Sequence, residues 1–190
     1  MKEQYIKEQT FKGKDFSGSN RVEADYEGCL FIACDFLEAD LSLMDFIDCQ
    51  FVDCNLSLVK LNGTLFQDAS FKDCKLLGLQ FENCNKFGLS VSFDSCTLDD
   101  SSFYQVKMPN SLFENCQLHH VDFTEADLKE SNFEKSSLTG AVFQGTNLES
   151  ADFRWAQDFM INPERNKLKQ AKFLKEELSG LLQAYKLQIE

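Results

Sequence analysis

The sequence predicts an all-β solenoid with a short C-terminal helix, and three observations carry that expectation. From Phe93 to Phe153 an apolar residue recurs at every fifth position: Phe93, Leu98, Phe103, Met108, Phe113, Leu118, Phe123, Leu128, Phe133, Leu138, Phe143, Leu148 and Phe153. Columns taken every twenty residues are nearly pure, with Phe93, Phe113, Phe133 and Phe153 in one and Leu98, Leu118 and Leu138 in another. Two residues before most of these centres sits a small or thiol side chain, as in Ala126-Asp127-Leu128 and Ala151-Asp152-Phe153.

A period of five fits neither common element. On an α-helix, five steps of about 100° would send the apolar stripe around the axis. On a continuous strand an odd period flips every second core residue to the opposite face. The chain must turn once per five residues. With i the central residue of each unit, i and i−2 then share an inward face along a short extended side. A three-sided coil would mix Phe and Leu in every column, so the coil has four sides.

In chain order, the polar segment Met1 to Thr10 lacks the apolar stretch of a signal peptide. No apolar run approaches the roughly 18 residues of a membrane span. The expectation is a soluble, cytoplasmic protein. A first repeat block runs from Phe11 through Phe16, Arg21, Tyr26, Phe31, Phe36, Leu41, Phe46, Phe51, Leu56, Leu61, Phe66, Phe71 and Leu76 to Phe81, with Arg21 an exception at a central position. The frame then breaks near residues 85–92, because Phe81 and Phe93 lie two residues further apart than two repeats require. Gly88 supplies a permissive backbone within that break. Residues 154–173 form a last, irregular coil with a turn at Asn162-Pro163, closing a solenoid unit of residues 1–173. Residues 174–190 form a cap: Lys175 to Tyr185 reads as a helix, and Lys186 to Ile189 alternates like a short strand. Gly180 weakens that helix by about 1 kcal/mol relative to Ala.

The eight cysteines, Cys29, Cys34, Cys49, Cys54, Cys74, Cys84, Cys96 and Cys116, all fall at i−2. That phase marks them as buried packing residues rather than metal ligands, whose paired short spacings are absent. In a cytoplasmic chain they are expected to be free thiols. No catalytic constellation, metal site or cofactor motif is legible. His119 and His120 fall at i+1 and i+2, which reads as solvated corner residues. Acidic residues recur with the repeat and decorate the surface. From Met1 to Phe153 there are 26 acidic and 12 basic residues, a balance of −14, whereas Arg154 to Glu190 holds 5 and 7, a balance of +2. Such a surface disfavours direct nucleic-acid binding, which needs a basic footprint.

With its i−2 small residue and Asp or Asn at i−1, the pattern resembles that of pentapeptide-repeat proteins, A(D/N)LXX. The resemblance implies a right-handed quadrilateral β-helix. The two in-phase blocks, the break and the tail from Ile161-Asn162-Pro163 through Gly180-Leu181-Leu182 are similar to those of the Qnr-type quinolone-resistance proteins, which protect DNA gyrase. That implies a non-enzymatic DNA mimic that engages a type II topoisomerase, DNA gyrase or topoisomerase IV. It also implies a homodimer joined through the C-terminal segment. An anionic partner-binding face of Asp35, Asp40, Asp45, Asp122 and Asp127 is expected, with a dimer contact of Leu178, Leu181, Leu182 and Tyr185. A scaffold or immunity-type protein with another protein partner is the alternative. Long projecting loops of some Qnr proteins have no counterpart beyond the two extra residues at the break.

Overall fold

The protein, described from a computed structural model over residues 4–18 and 23–188, is a right-handed quadrilateral β-helix. Arg21 and Ile189, both singled out in the sequence, lie outside the described residues. Strands β1 (Gln4–Lys7), β3 (Ala24–Glu27), β5 (Asp45–Ile47) and β7 (Leu65–Gln67) pair in parallel on one side of the coil. An adjacent side carries β2 (Thr10–Lys12), β4 (Leu30–Ile32), β6 (Gln50–Val52), β8 (Ala69–Lys72), β9 (Val91–Asp94) and β10 (Leu112–Glu114), also parallel. We number the sides from Phe11, so that the longer sheet is side one and the shorter is side four. Sides two and three are held by isolated parallel bridges, such as Asp35 to Asn55 and Ser102 to Asp122.

Side one shows how the period becomes a core. Phe11, Phe31, Phe51, Phe71, Phe93, Phe113, Phe133, Phe153 and Phe173 stack face to face, with ring centroids 4.7–5.4 Å apart. The eight steps between these rings are close to the spacing of hydrogen-bonded strands and give a rod on the order of 40 Å long. Rings on neighbouring sides meet edge-on instead, as Phe113 with Phe123 at 82° and Phe123 with Phe133 at 85°. Both geometries suit the aromatic quadrupole. The i−2 side chains fill the space beside each ring, and all eight cysteines are free and buried there.

Corners follow from the same repeat. The i+2 residue adopts a left-handed conformation, as at Glu38 (φ +55°), Asp53 (+53°) and Gln105 (+57°). A tight turn with positive φ at its second central residue has that form. Asp or Asn at i−1 braces the corner by accepting the N–H of i+1, as Asn55 does from Ser57 at 3.2 Å and Asn132 from Glu134 at 2.9 Å.

The frame break costs no register. Phe71 pairs with Phe93 across it, and residues 85–90 loop out from side four. Asn85 N–H donates to Thr64 O (2.8 Å) and Ser90 N–H to Phe66 O (2.9 Å), which pins both ends of the loop. Gly88 takes φ +87°, and Leu89 packs back on the core.

The C-terminal end departs from the sequence expectation. The last coil is present, with Asp152 bridged to Lys172 and Phe153 stacked on Phe173, and Phe159 and Ile161 are buried above it. The tail is not one helix. A single turn, α1 (Ser179–Leu182), lies between 3-10 turns at Lys175–Glu177 and Gln183–Tyr185, and Lys186 to Gln188 form no strand. The physical reason is at Gly180. A Cβ there would lie 2.3 Å from Phe159 O and 2.7 Å from the Phe159 ring. Ile161 N–H donates to Gly180 O at 3.0 Å. Glycine is the contact by which the tail seats on the core, and Lys186 at φ +50° ends the helical turn. Among the described residues no helix is long and apolar enough to cross a membrane.

Candidate functional site

The five acidic residues expected on one face are distributed over three sides. Asp35 lies on side two, Asp40 and Asp122 on side three, and Asp45 and Asp127 on side four. The four-sided period itself puts residues five apart on successive sides, so the expected five cannot form a single face. Four of them also have a local task. Asp35, Asp40, Asp122 and Asp127 accept the N–H of Leu37, Ser42, Thr124 and Lys129 at 3.0, 3.0, 2.8 and 3.3 Å. Asp45 differs, donating its own N–H to Asp25 Oδ1 at 2.8 Å. A carboxylate at i−1 thus braces a corner with one oxygen and contributes its charge to the rod as a whole. The acidic field is a property of the whole rod, not of one patch.

The expected C-terminal contact divides in two. Leu178 and Tyr185 are 40% and 47% exposed, whereas Leu181 and Leu182 are half-buried and Leu181 packs against the core. The Tyr185 hydroxyl donates to Glu164 Oε1 at 2.9 Å, which ties the tail to the last coil.

His119 is not a solvated corner residue. Its backbone N–H donates to Asp99 Oδ1 at 3.0 Å, its Nδ1 lies 3.1 Å from Asp99 Oδ2, and its Nε2 lies 3.0 Å from Ser137 Oγ. Three residues from successive coils of side two form a hydrogen-bonded chain. The order is that of a nucleophile, base and orienting acid. Ser137, however, lies on the outer side of the rod and lines none of the described cavities. The chain couples three coils laterally, which the separation of 18 and 20 residues hides from sequence inspection.

Two outward aromatic residues were not singled out by their period. Phe87, at the tip of the frame break, is 89% exposed, and with Lys86, Gln105, Lys107 and Glu125 it borders a cavity of about 530 Å³. Its signal in the sequence is an out-of-phase Phe between two in-phase blocks. Trp155 is an exposed corner residue at φ +69°. Among the described residues no cluster of three or more His, Cys, Asp or Glu side chains could hold a metal ion.

The architecture has known counterparts. The family model described as Pentapeptide repeat region matches residues 24–89 and 89–157. A comparison with curated proteins finds no match. Among solved structures, a trypsin-treated variant of QnrB1, a plasmid-mediated fluoroquinolone resistance protein, superposes with a TM-score of 0.76 at 18% identity, covering 98% of this chain and 91% of that chain. A second trypsin-treated variant gives 0.63 at 16% identity, with 98% and 100% covered. Full-length QnrB1 gives 0.54 at 18% identity, with 97% and 100% covered. At these identities the likeness is one of fold. The period, the four-sided core and the family match agree, and the chain belongs to the pentapeptide-repeat family.

Proposed function

We propose that this protein is a non-catalytic binding protein that offers its acidic rod to the DNA-binding surface of a type II topoisomerase, DNA gyrase or topoisomerase IV. The observation that carries this reading is the regular rod with its charge. A balance of −14 over residues 1–153, spread along roughly 35 Å at about 4.8 Å per coil, is roughly one net charge per 2–3 Å. DNA carries one per about 1.7 Å. The rod is a weaker polyanion of similar form, able to compete for a cationic saddle without matching DNA charge for charge. The fold shared with QnrB1 supports protection from quinolones as the consequence. Exposed Leu178 and Tyr185 support a two-fold dimer through the tail, since symmetric pairing is the commonest route to oligomers. Such a dimer would present two rods to a two-fold enzyme.

The test is a gyrase supercoiling assay with and without ciprofloxacin, using a variant with Asp35, Asp40, Asp122 and Asp127 changed to Asn. Asn keeps the acceptor oxygen that braces each corner, as Asn55, Asn132 and Asn147 already do, so only charge is removed. The wild type should inhibit supercoiling or relieve ciprofloxacin, and the Asn variant should do so weakly. Added salt should weaken the wild-type effect as the Debye length falls from about 10 Å at 0.1 M to 3 Å at 1 M. A Leu178→Asp, Tyr185→Asp variant should be monomeric by light scattering and less active. Equal activity of the Asn variant would remove the charge argument. No effect of wild type on gyrase or topoisomerase IV would leave a scaffold for a different protein partner, the reading that the short Asn85–Ser90 loop favours.

A further inference from the structure

Phe87 is the one phenylalanine that the core does not take. Every other phenylalanine is buried or packs on the buried cluster, whereas Phe87 is 89% exposed. Its ring forgoes the burial that stabilises all the others. The backbone beneath it is nonetheless fixed. Phe87 N–H donates to Asn85 Oδ1 at 3.0 Å, the form of an Asx-turn. The bonds from Asn85 and Ser90 to Thr64 O and Phe66 O hold the loop on both flanks, and Leu89 returns to the core. The loop thus holds an aromatic ring out at a set place.

The ring borders the cleft of about 530 Å³ that it shares with Lys86, Gln105, Lys107 and Glu125. That volume lies in the range of small-molecule sites, roughly 300–1,000 Å³. The two signs of charge around the cleft differ in their partners. Glu125 Oε2 accepts Gln105 Nε2 at 2.7 Å. Asp127, which forms a parallel bridge with Lys107, accepts Asn147 Nδ2 at 2.8 Å and the Lys129 N–H at 3.3 Å. Among the described residues, Lys7, Lys72 and Arg154 pair with Glu27, Asp94 and Asp152, but neither Lys86 nor Lys107 has an ion-pair or hydrogen-bond partner for its ammonium group. The carboxylates already have donors, and the two exposed ammonium groups lack acceptors.

That imbalance selects the ligand. An aromatic wall favours a flat ring laid against it. Unpaired ammonium groups favour a carboxylate, which they meet in charge-assisted hydrogen bonds. The rest of the rod limits how much charge the ligand can carry. A balance of −14 over residues 1–153 repels a polyanion such as a nucleic-acid strand or an anionic membrane, and repels a single carboxylate least. We propose that the cleft beside Phe87 binds a small aromatic carboxylate, its ring against Phe87 and its carboxylate at Lys86 and Lys107. The inference is independent of the topoisomerase reading.

The test uses the full chain, a Phe87→Ala variant and a Lys86→Gln, Lys107→Gln variant. All three should melt within about 2 °C of one another, because the changed side chains are exposed. The probe is 2-naphthoate, titrated with protein and followed by the broadening of its own proton signals in solution NMR. The wild type should bind it with a dissociation constant of about 1 mM or below. Each variant should bind at least about threefold more weakly. The neutral analogue 2-naphthamide should bind the wild type about as weakly as naphthoate binds the lysine variant. Failure of the wild type to bind, or equal binding by either variant, overturns the proposal, and so does equal binding of the amide and the acid. Phe87-dependent binding of a thymidine oligonucleotide more tightly than naphthoate would assign the cleft to nucleic acid and overturn it as well.

Discussion

Although sides two and three of the lower block end in tight turns, as where Ala39 and Met44 donate their N–H groups to Phe36 O and Leu41 O at 2.8 and 3.1 Å, its side-one corners close differently from most corners above the break. Above it, Phe123, Leu128, Phe133 and Leu138 each accept the N–H of the residue three further on, at 3.1, 3.1, 3.1 and 3.0 Å. Those residues are Ala126, Ser131, Ser136 and Ala141. Below the break, on side one, cysteine stands at that position and the pattern changes. Cys34 and Cys54 donate their N–H groups to the thiol sulfur one coil up, Cys54 and Cys74, at 3.4 Å each. Those two thiols point back at the carbonyls of Phe31 and Phe51, also at 3.4 Å. A column of sulfur replaces the turn hydrogen bond. The corner then stays extended, and strands form there. Along this one column a thiol at i−2 thus accompanies an extended corner, within one unchanged period.

The largest expected effects test what the two blocks share. Phe51→Ala and Phe133→Ala remove rings from the same column on opposite sides of the break, and each should cost about 3–5 kcal/mol in urea unfolding. In a solenoid each coil is held by its neighbours, so either change should also make unfolding less cooperative. A cost below about 1 kcal/mol at one position would mean that the column is not continuous across the break.

Gly180→Val tests the cap, which touches only the upper end. Overpacking against Phe159 should cost about 1–3 kcal/mol. Hydrogen exchange should rise in residues 153–173 and stay unchanged below the break. Uniform exchange would mean that the tail does not seat where described.

Exchanging the corner residues breaks the comparison directly. Cys54→Ala removes both the sulfur acceptor and the donor to Phe31, and should cost about 1–3 kcal/mol. If the change were neutral, the sulfur column would not hold the side-one corner. In the wild type the thiols should react with a disulfide reagent only on unfolding, since burial pushes Cys49 and Cys84 up to about 12.

The smallest effect is a pH dependence confined to the upper end. The Arg154 guanidinium, 2.7 Å from Asp152 Oδ2 with Lys172 at 3.4 Å, holds the Asp152 carboxyl down at about 2. The unfolded value is about 3.9. A lowered folded value means that this stabilisation is complete above about pH 4 and is lost as pH falls through 2. Both cations are more than half exposed, so screening keeps the effect small. Acid titration of Asp152→Asn should lack that component. An identical acid profile would show that the pair does not contribute.

The sequence by itself determined everything that depends on which residues point inward. Period, four sides, thiol burial, the break and the partial last coil all follow from it, because one misplaced phase would expose every core ring. Solvent-facing residues carry no such penalty, so their neighbours stayed hidden. Asp99, His119 and Ser137 meet only because coils stack in register. At the tail, helical spacing of Leu178, Leu181 and Leu182 promised a longer helix. Only packing decided otherwise, since Gly180 must approach Phe159 O more closely than any Cβ allows.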